Sequence, residues 1–175
     1  MNISERGYTN PDLLWSPETL IARLNEPTVI VIDTRPAEAF AAGHIAGARH
    51  FDLYFVNCDD TDPAPLASCA RMWGNLLGWR GVKATDTIVF SGEFTDMCVA
   101  RGYWFVEYLG HADVHVLDGG IKAWAAAGGE ITTSGDIPKP VKFLATPTED
   151  KVITYQGVLD AIDNPDCVMG DNRSL

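Results

Sequence analysis

Three short runs of apolar, mostly β-branched residues constrain the fold of this chain more than any other feature of its sequence. They occupy residues 28–33, 87–90 and 114–117. Each run is largely apolar on both faces of an extended chain, which is typical of central strands in a parallel sheet covered on both sides. A glycine-containing loop and a helical pattern follow each of the last two runs. Repeated strand–loop–helix units predict an open α/β sheet with right-handed crossovers and with ligands at the carboxyl ends of the strands.

Helix signals accompany each predicted strand. Ser16 and Pro17 form a typical helix start before the first strand, with serine at the N-cap and proline at the first helical position. A second helix is predicted over residues 96–109, and a third carries Ile121 and Trp124.

Two other stretches lack the periodicity of a helix or a strand. Residues 58–65 are acidic and contain proline, so they are predicted to form a surface loop. Residues 134–147 contain three prolines, and the linker predicted from them extends over residues 134–150.

Length and charge exclude several classes of protein. A chain of 175 residues holds one ordinary domain of about 100–150 residues and a remainder, but not two full domains. Its net charge of −11 gives no electrostatic reason to expect nucleic acid or an anionic membrane as a partner. The apolar stretches are only strand-sized, and residues 1–15 do not resemble a secretory signal. We therefore expect a cytoplasmic protein without a membrane span.

The four cysteines are Cys58, Cys69, Cys98 and Cys167. None forms a C-x-x-C pair and none has histidine at finger-like spacing, so neither a metal site nor a cofactor is expected. Without a secretory signal, a disulfide framework is not expected either. All four are predicted to be reduced, and each is interpreted as a small hydrophobic residue.

An internal repeat relates residues 16–35 to residues 154–173 without a gap, at an offset of 138. The repeat pairs Pro27 with Pro165, Asp33 with Asp171 and Arg35 with Arg173, and it pairs the apolar stripe Leu20, Ile21 and Leu24 with Val158, Leu159 and Ile162. Any helix–turn–strand unit resembles another, but the shared proline and D-x-R favour duplication of a whole domain. The second copy covers only about 22 residues, which is too short for a core of its own. It is expected to dock on the first domain, to pair with another chain, or to belong to a longer parent.

Three motifs, in order, resemble the signatures of the rhodanese family. Residues 40–48, FAAGHIAGA, resemble F-x-x-G-H-I-P-G-A with Ala46 in place of the usual proline. Residues 33–35 resemble its D-x-R, and residues 117–124 resemble its L-D-G-G-x-x-x-W. The resemblance runs from about residue 15 to residue 131 and implies a rhodanese-like open parallel sheet with helices on both faces. Tandem rhodaneses, the thiosulfate and 3-mercaptopyruvate sulfurtransferases, carry two such domains, in agreement with the repeat.

The residues of these motifs are interpreted as structural rather than catalytic: Asp33, Arg35, His44, Gly47, Asp118, Gly119, Gly120 and Trp124. Asp33 and Arg35 are expected to form an ion pair that fixes the following loop. The histidine is expected to be hydrogen-bonded and not a base. The adjacent glycines are expected to form a turn with positive φ, and the tryptophan is expected to lie in the core.

The resemblance also locates the position of the nucleophile. Rhodaneses have a cysteine after the central strand, where loop N–H groups and a helix N-terminus stabilise the thiolate and then the persulfide. That position here is Ser91, and a hydroxyl cannot form a persulfide. We interpret the whole loop as pseudo-active: Ser91, Gly92, Glu93, Phe94, Thr95 and Asp96. Its two carboxylates raise the pKa of a nearby thiol and oppose anion binding.

Other nucleophiles are disfavoured. Cys98 is predicted to lie in the following helix, beside its N-terminal turn and outside the loop. Cys98 and Arg101 are too close for the C-x5-R loop of the phosphatases that share this fold. Ser91 is not in a G-x-S-x-G setting, so a serine hydrolase is disfavoured as well.

Together the residues and the resemblance predict a non-catalytic rhodanese-like domain over residues 1–133, the linker, and the start of a second rhodanese-like domain over residues 151–175. The expected function is that of the N-terminal half of a sulfurtransferase. The parent would move sulfane sulfur from thiosulfate or 3-mercaptopyruvate to a thiophilic acceptor through a cysteine persulfide in the second domain, and this chain alone would be inactive. The expected partner is that second domain, in the same or another chain, and exchange of the repeated segment would give a homo-oligomer. The alternative is a stand-alone binding or regulatory module.

Overall fold

Five parallel strands form the central sheet, in the spatial order β1-β6-β5-β2-β4. The computed structural model describes residues 3–54 and 56–171. In chain order the elements are β1 (Leu14–Trp15), α1 (Pro17–Arg23), β2 (Val29–Asp33), α2 (Ala37–Ala42), β3 (His44–Ile45), β4 (Arg49–His50), α3 (Pro63–Trp79), β5 (Thr87–Ser91), α4 (Met97–Tyr108), β6 (Val114–Leu117), α5 (Gly120–Ala126), β7 (Ile131–Thr132) and α6 (Tyr155–Ala161). Strands β3 and β7 pair antiparallel beside the main sheet. The three runs singled out in the sequence form its three central strands.

Both faces of the sheet are covered, because side chains of each central strand alternate between two cores. Ile30 and Ile32 of β2 belong to a core that also includes residues of α3 and α4. Val29 and Val31 belong to the opposite core, together with residues of α1 and α5. The predicted α/β fold, a parallel sheet with helices on both faces, is confirmed.

Helix α3 corrects the prediction of a surface loop over residues 58–65. The helix begins at Pro63, and its buried residues recur at helical spacing: Ala70, Trp73, Gly74, Leu77 and Gly78. Proline is compatible with the first helical turn, because the N–H groups there have no partner within the helix. The prolines that indicated a loop therefore mark a helix start, and the loop ends at Asp62.

The segment over residues 134–148 contains neither helix nor strand, yet it packs closely on the domain. Val141 N donates to Gly78 O at 2.8 Å, and Thr146 N donates to Leu109 O at 2.9 Å. Phe143 is buried in the core beside α3 and α4. This segment therefore completes the core, while the division of the chain into domains stays a prediction.

The repeat is reproduced in its helix but not in its strand. Helix α6 has the same length as α1, and the N-cap side chains of Ser16 and Thr154 both accept a hydrogen bond from the N–H three residues on. Residues 167–171, the counterpart of β2, form no strand. A central strand requires neighbours on both sides, and this stretch has none among the described residues. Arg173 lies outside the described residues.

Cys58 and Cys69 form a disulfide, so the prediction that all four cysteines are reduced is wrong. The two residues are 11 positions apart and match no sequence motif, but their Cα atoms lie 6.0 Å apart because the loop folds back on α3. That distance is typical of a disulfide. Cys98 and Cys167 are free. No helix within residues 3–54 and 56–171 is long and apolar enough to cross a membrane.

Candidate functional site

The predicted pseudo-active loop lies at the carboxyl edge of the sheet. Strands β2 and β5 pair in register, so that Asp33 and Ser91 lie side by side at their ends. Both the N–H and the hydroxyl of Thr34 donate to Ser91 O, at 2.9 and 3.2 Å. The structure thus brings together the D-x-R motif and the loop over residues 91–96, although they are far apart in the sequence.

The side chain of Ser91 is buried beneath this loop. The residue is 1% exposed, and its Oγ has no hydrogen-bond partner among the described residues. A nucleophile has to meet its substrate, and this hydroxyl is closed off from solvent. Ser91 therefore has no thiol, and its hydroxyl is not accessible to solvent.

Asp96 is the N-cap of α4, and its carboxylate occupies N–H groups of the first helical turn. Its Oδ1 accepts hydrogen bonds from Cys98 N at 2.9 Å and Val99 N at 3.1 Å. These are the helix N–H groups that stabilise a bound anion in other proteins. The carboxylate of the chain itself supplies the negative charge here.

Glu93, in the loop, forms ion pairs with Arg35 and Lys122. Its carboxylate lies 3.7 Å from Arg35 Nη1 and 3.2 Å from Lys122 Nζ, and the side chain is 44% exposed. The carboxylate therefore offsets positive charge beside the loop. Sequence reasoning missed the role of Lys122, since nothing in its local sequence indicates that it reaches Glu93.

The turn after β6 closes the loop from the other side. Gly119 and Gly120 have φ of 74° and 59°, as the predicted turn with positive φ requires. Gly119 N donates to Thr95 Oγ1 at 3.1 Å. A Cβ on Gly120 would lie 2.8 Å from the backbone of Phe94. The backbones of this turn and of the loop therefore lie in close contact.

Asp33 and Arg35 form the expected ion pair. Arg35 donates from Nε and Nη2 to the Asp33 carboxylate, at distances from 2.7 to 3.1 Å, and also from Nη2 to Gly43 O at 2.7 Å. Both residues are buried. The pair joins the end of β2 to the end of α2, and it thereby holds the loop between them.

The other motif residues make structural contacts in the same way. The ring nitrogens of His44 lie 2.9 Å from Phe40 O and 3.2 Å from Ser134 O, so the ring is held between two backbone carbonyls. Trp124 is buried, and its Nε1 donates to Glu130 O at 2.9 Å. Gly47 has a positive φ and lies in a turn, and Asp118 forms an ion pair of 2.9 Å with Arg6.

Cys98 lies in the first turn of α4 and is half-buried. Burial raises the pKa of its thiol, and the carboxylates of Asp96 and Asp52 raise it further, although Arg101 acts in the opposite direction. A high pKa keeps the thiol protonated and weakly nucleophilic. No cluster of three or more potential metal-binding side chains exists in the part of the chain that the structure describes.

Comparison with known proteins finds one family and a consistent set of relatives. Residues 16–127 match the rhodanese-like domain. The chain is 29% identical to the "Probable 3-mercaptopyruvate sulfurtransferase" of Pseudomonas aeruginosa, covering 92% of this chain and 61% of that protein. It is 27% identical to the thiosulfate sulfurtransferase of Rattus norvegicus, covering 91% and 57%. The chain thus spans a little over half the length of these relatives.

Among solved structures, SseA of Escherichia coli, described as a 3-mercaptopyruvate sulfotransferase, superposes with a TM-score of 0.73. The match covers 85% of this chain and 61% of SseA, at 20% sequence identity. At that identity the similarity establishes the shared fold and nothing finer.

Proposed function

Because the chain belongs to the rhodanese-like domain family, we propose that it is the non-catalytic rhodanese domain of a sulfurtransferase. In this proposal a second rhodanese domain, in the same or another chain, carries the cysteine persulfide. That domain moves sulfane sulfur from thiosulfate or 3-mercaptopyruvate to a thiophilic acceptor, and this domain supports it. We also propose that the reaction takes place in the cytoplasm, where the Cys58–Cys69 disulfide would be transient and not permanent.

The observation that carries the proposal is the state of Ser91. It occupies the position that the family resemblance assigns to the nucleophile, it has no thiol, and its hydroxyl is buried. The charges of Glu93 and Asp96 support the same conclusion, since both carboxylates occupy groups that would otherwise hold an anion.

Two features support a second domain as the partner. Helix α6 repeats α1 in length and in N-cap hydrogen bond, as expected for the opening helix of another copy. Leu20 of α1 is fully buried, whereas Val158 at the equivalent position of α6 is 37% exposed. An apolar helix face that α1 packs on a sheet is thus left uncovered in α6.

The proposal is tested by assaying the 175-residue chain with thiosulfate and cyanide, beside an active rhodanese as positive control. We expect no thiocyanate above background. Robust turnover that alkylation of Cys98 abolishes would contradict the proposal.

The Ser91→Cys variant sharpens this test, because it restores the missing thiol alone. We expect this variant to stay at least about a hundredfold below the positive control, since the loop remains closed and anion-repelling. The double variant Ser91→Cys, Glu93→Gln should gain activity over Ser91→Cys if charge contributes. Full activity of the single variant would show that only the thiol is missing and that the charge argument is wrong.

A stand-alone binding module is the alternative outcome. A stable partner without a rhodanese domain, retained on the chain in a pull-down, would favour that function over the proposed one.

A further inference from the structure

The disulfide between Cys58 and Cys69 fixes a loop on a helix. Cys58 lies in the irregular stretch after β4, and Cys69 lies in the second turn of α3. The bond closes a loop that spans 11 residues, and it holds residues 58–62 against the helix. Without the bond, this short acidic loop has far more conformations available.

The same loop holds the N-terminus of α6. Thr61, three residues after Cys58, accepts a hydrogen bond through its Oγ1 from Tyr155 N at 2.8 Å. Tyr155 is the first residue of α6, and the N–H groups of the first turn have no acceptor within the helix. The N–H of Tyr155 therefore donates to a residue that is distant in the sequence, and the disulfide fixes the position of that residue.

Beneath this hydrogen bond α6 and α3 meet across a cleft and not through a packed core. The cleft has a volume of about 500 Å³, and its walls include Leu66 and Ala67 of α3 on one side and Ile153 and Gly157 on the other. Leu66 lies one turn before Cys69 on the same helix. A contact with so little packing has low local stability and depends on the few groups that define it.

The disulfide is within reach of a reagent in solution. Both cysteines are half-buried, while Asp59, Asp60 and Ser68 beside them are exposed. An attacking thiolate therefore needs only a local movement of the loop and no unfolding of the core.

We propose that the Cys58–Cys69 disulfide is a reversible clamp that docks α6 on the rhodanese domain. A dithiol reductant opens it by thiol–disulfide exchange. One thiolate of the reductant attacks a sulfur of the bond and forms a mixed disulfide, and its second thiol then displaces the protein sulfur. Two electrons and two protons pass to Cys58 and Cys69, which become thiols, and the reductant leaves as a disulfide. A disulfide oxidant reverses each step.

Opening the clamp releases the loop that carries Thr61, and α6 undocks. We expect the core strands and α4 to be unaffected. The segment before α6 is held on α4 by a separate hydrogen bond, since Trp104 Nε1 donates to Lys151 O at 2.9 Å. The consequence that redox state sets the position of a second rhodanese domain rests on the proposed function. The clamp itself does not.

Hydrogen exchange of the Tyr155 amide reports whether the clamp is closed, because the hydrogen bond to Thr61 protects this amide from exchange. We expect reduction of the full chain with dithiothreitol to raise exchange at Tyr155 and through α6 about tenfold, with β5 unchanged. Unchanged exchange in α6 on reduction would overturn the proposal. Mass spectrometry after alkylation under non-reducing conditions must also show two free thiols; four would overturn it as well.

Variants at Thr61 separate the clamp from a general loss of stability. Thr61→Ala should expose the Tyr155 amide in both redox states with the disulfide intact, and Thr61→Ser should restore redox-dependent protection. In the Cys58→Ser, Cys69→Ser variant, exchange in α6 should match that of the reduced chain and should not respond to dithiothreitol. A response to dithiothreitol in that variant would assign the effect to another group. None of these readouts depends on sulfur transfer, so the clamp and the proposed function fail or succeed separately.

Discussion

Removing one partner of the buried ion pair between Asp33 and Arg35 is predicted to cost far more stability than removing one partner of a similar pair at the surface. Asp33→Asn leaves the guanidinium of Arg35 buried without its counter-charge, and we expect it to lower the free energy of unfolding by about 3 kcal/mol. Arg23 and Glu26 form a pair of similar length, at 2.9 Å against 2.7 Å, but both side chains are about 40% exposed. Glu26→Gln should therefore cost less than about 1 kcal/mol. Urea unfolding of both variants measures the difference, and equal losses would contradict it.

The thiol of Cys98 is predicted to react slowly because burial and two carboxylates raise its pKa. In a Cys167→Ser background it is the free thiol left among the described residues, so alkylation by iodoacetamide reports on it alone. We expect its rate at pH 7 to be about tenfold below that of a small-molecule thiol and to rise with pH as the thiolate forms. Asp52→Asn removes one of the raising charges and should shift the rate profile to lower pH. Faster reaction than the small-molecule thiol at pH 7 would identify Cys98 as an activated nucleophile.

At the scale of elements, helix α3 depends on the segment over residues 134–148 that packs along it. A Cβ on Gly78 would collide with Val141 O, whereas the nearest atom to a Cβ on Gly74 is 3.5 Å away. We expect Gly78→Ala to destabilise the chain by about 1–3 kcal/mol through overpacking. The same change at Gly74, one turn away, should be neutral or stabilising by up to about 1 kcal/mol, because alanine is the better helix former. Thermal unfolding of both variants measures this difference in stability. A Gly78→Ala variant as stable as the unmodified chain would mean that the segment does not pack against α3 at this position.

Sequence reasoning identified the elements whose signals are local. The β-branched runs gave all three central strands, and Ser16 and Asp96 are N-caps at the starts of helices α1 and α4. It failed at the start of α3, where the prolines of a helix start were interpreted as a loop, and where structure depends on distant partners. Residues 167–171 carry a strand-like pattern but pair with no strand in the part of the chain that the structure describes, and the Cys58–Cys69 bond depends on how a loop folds back. In the site, two carboxylates near the nucleophile position were predicted, but their partners in the fold, the α4 N–H groups and Lys122, were not.

At the scale of the whole molecule, the uncovered face of α6 predicts self-association. Leu159 and Ile162 lie there exposed beside Val158, and Ile21 is the equivalent of Leu159 in α1. Ile21 and Leu159 are 40% and 41% exposed, but only Leu159 belongs to a wider apolar patch. In sedimentation velocity we expect concentration-dependent dimerisation that Leu159→Asp abolishes and Ile21→Asp leaves intact. A chain that is monomeric at all concentrations would contradict this expectation.

Because Phe143 packs against α3 and α4, the packed structure extends further along the chain than the family match does. The unit that a family comparison recognises ends at residue 127. We expect the unit that folds by itself to include residues 134–148 as well, because Phe143 packs in the core and Thr148 N donates to Tyr108 O. A gene fragment trimmed to the recognised unit would leave apolar side chains of α3 in water. We therefore expect a recombinant form of this domain to need about twenty residues beyond the end of the family match.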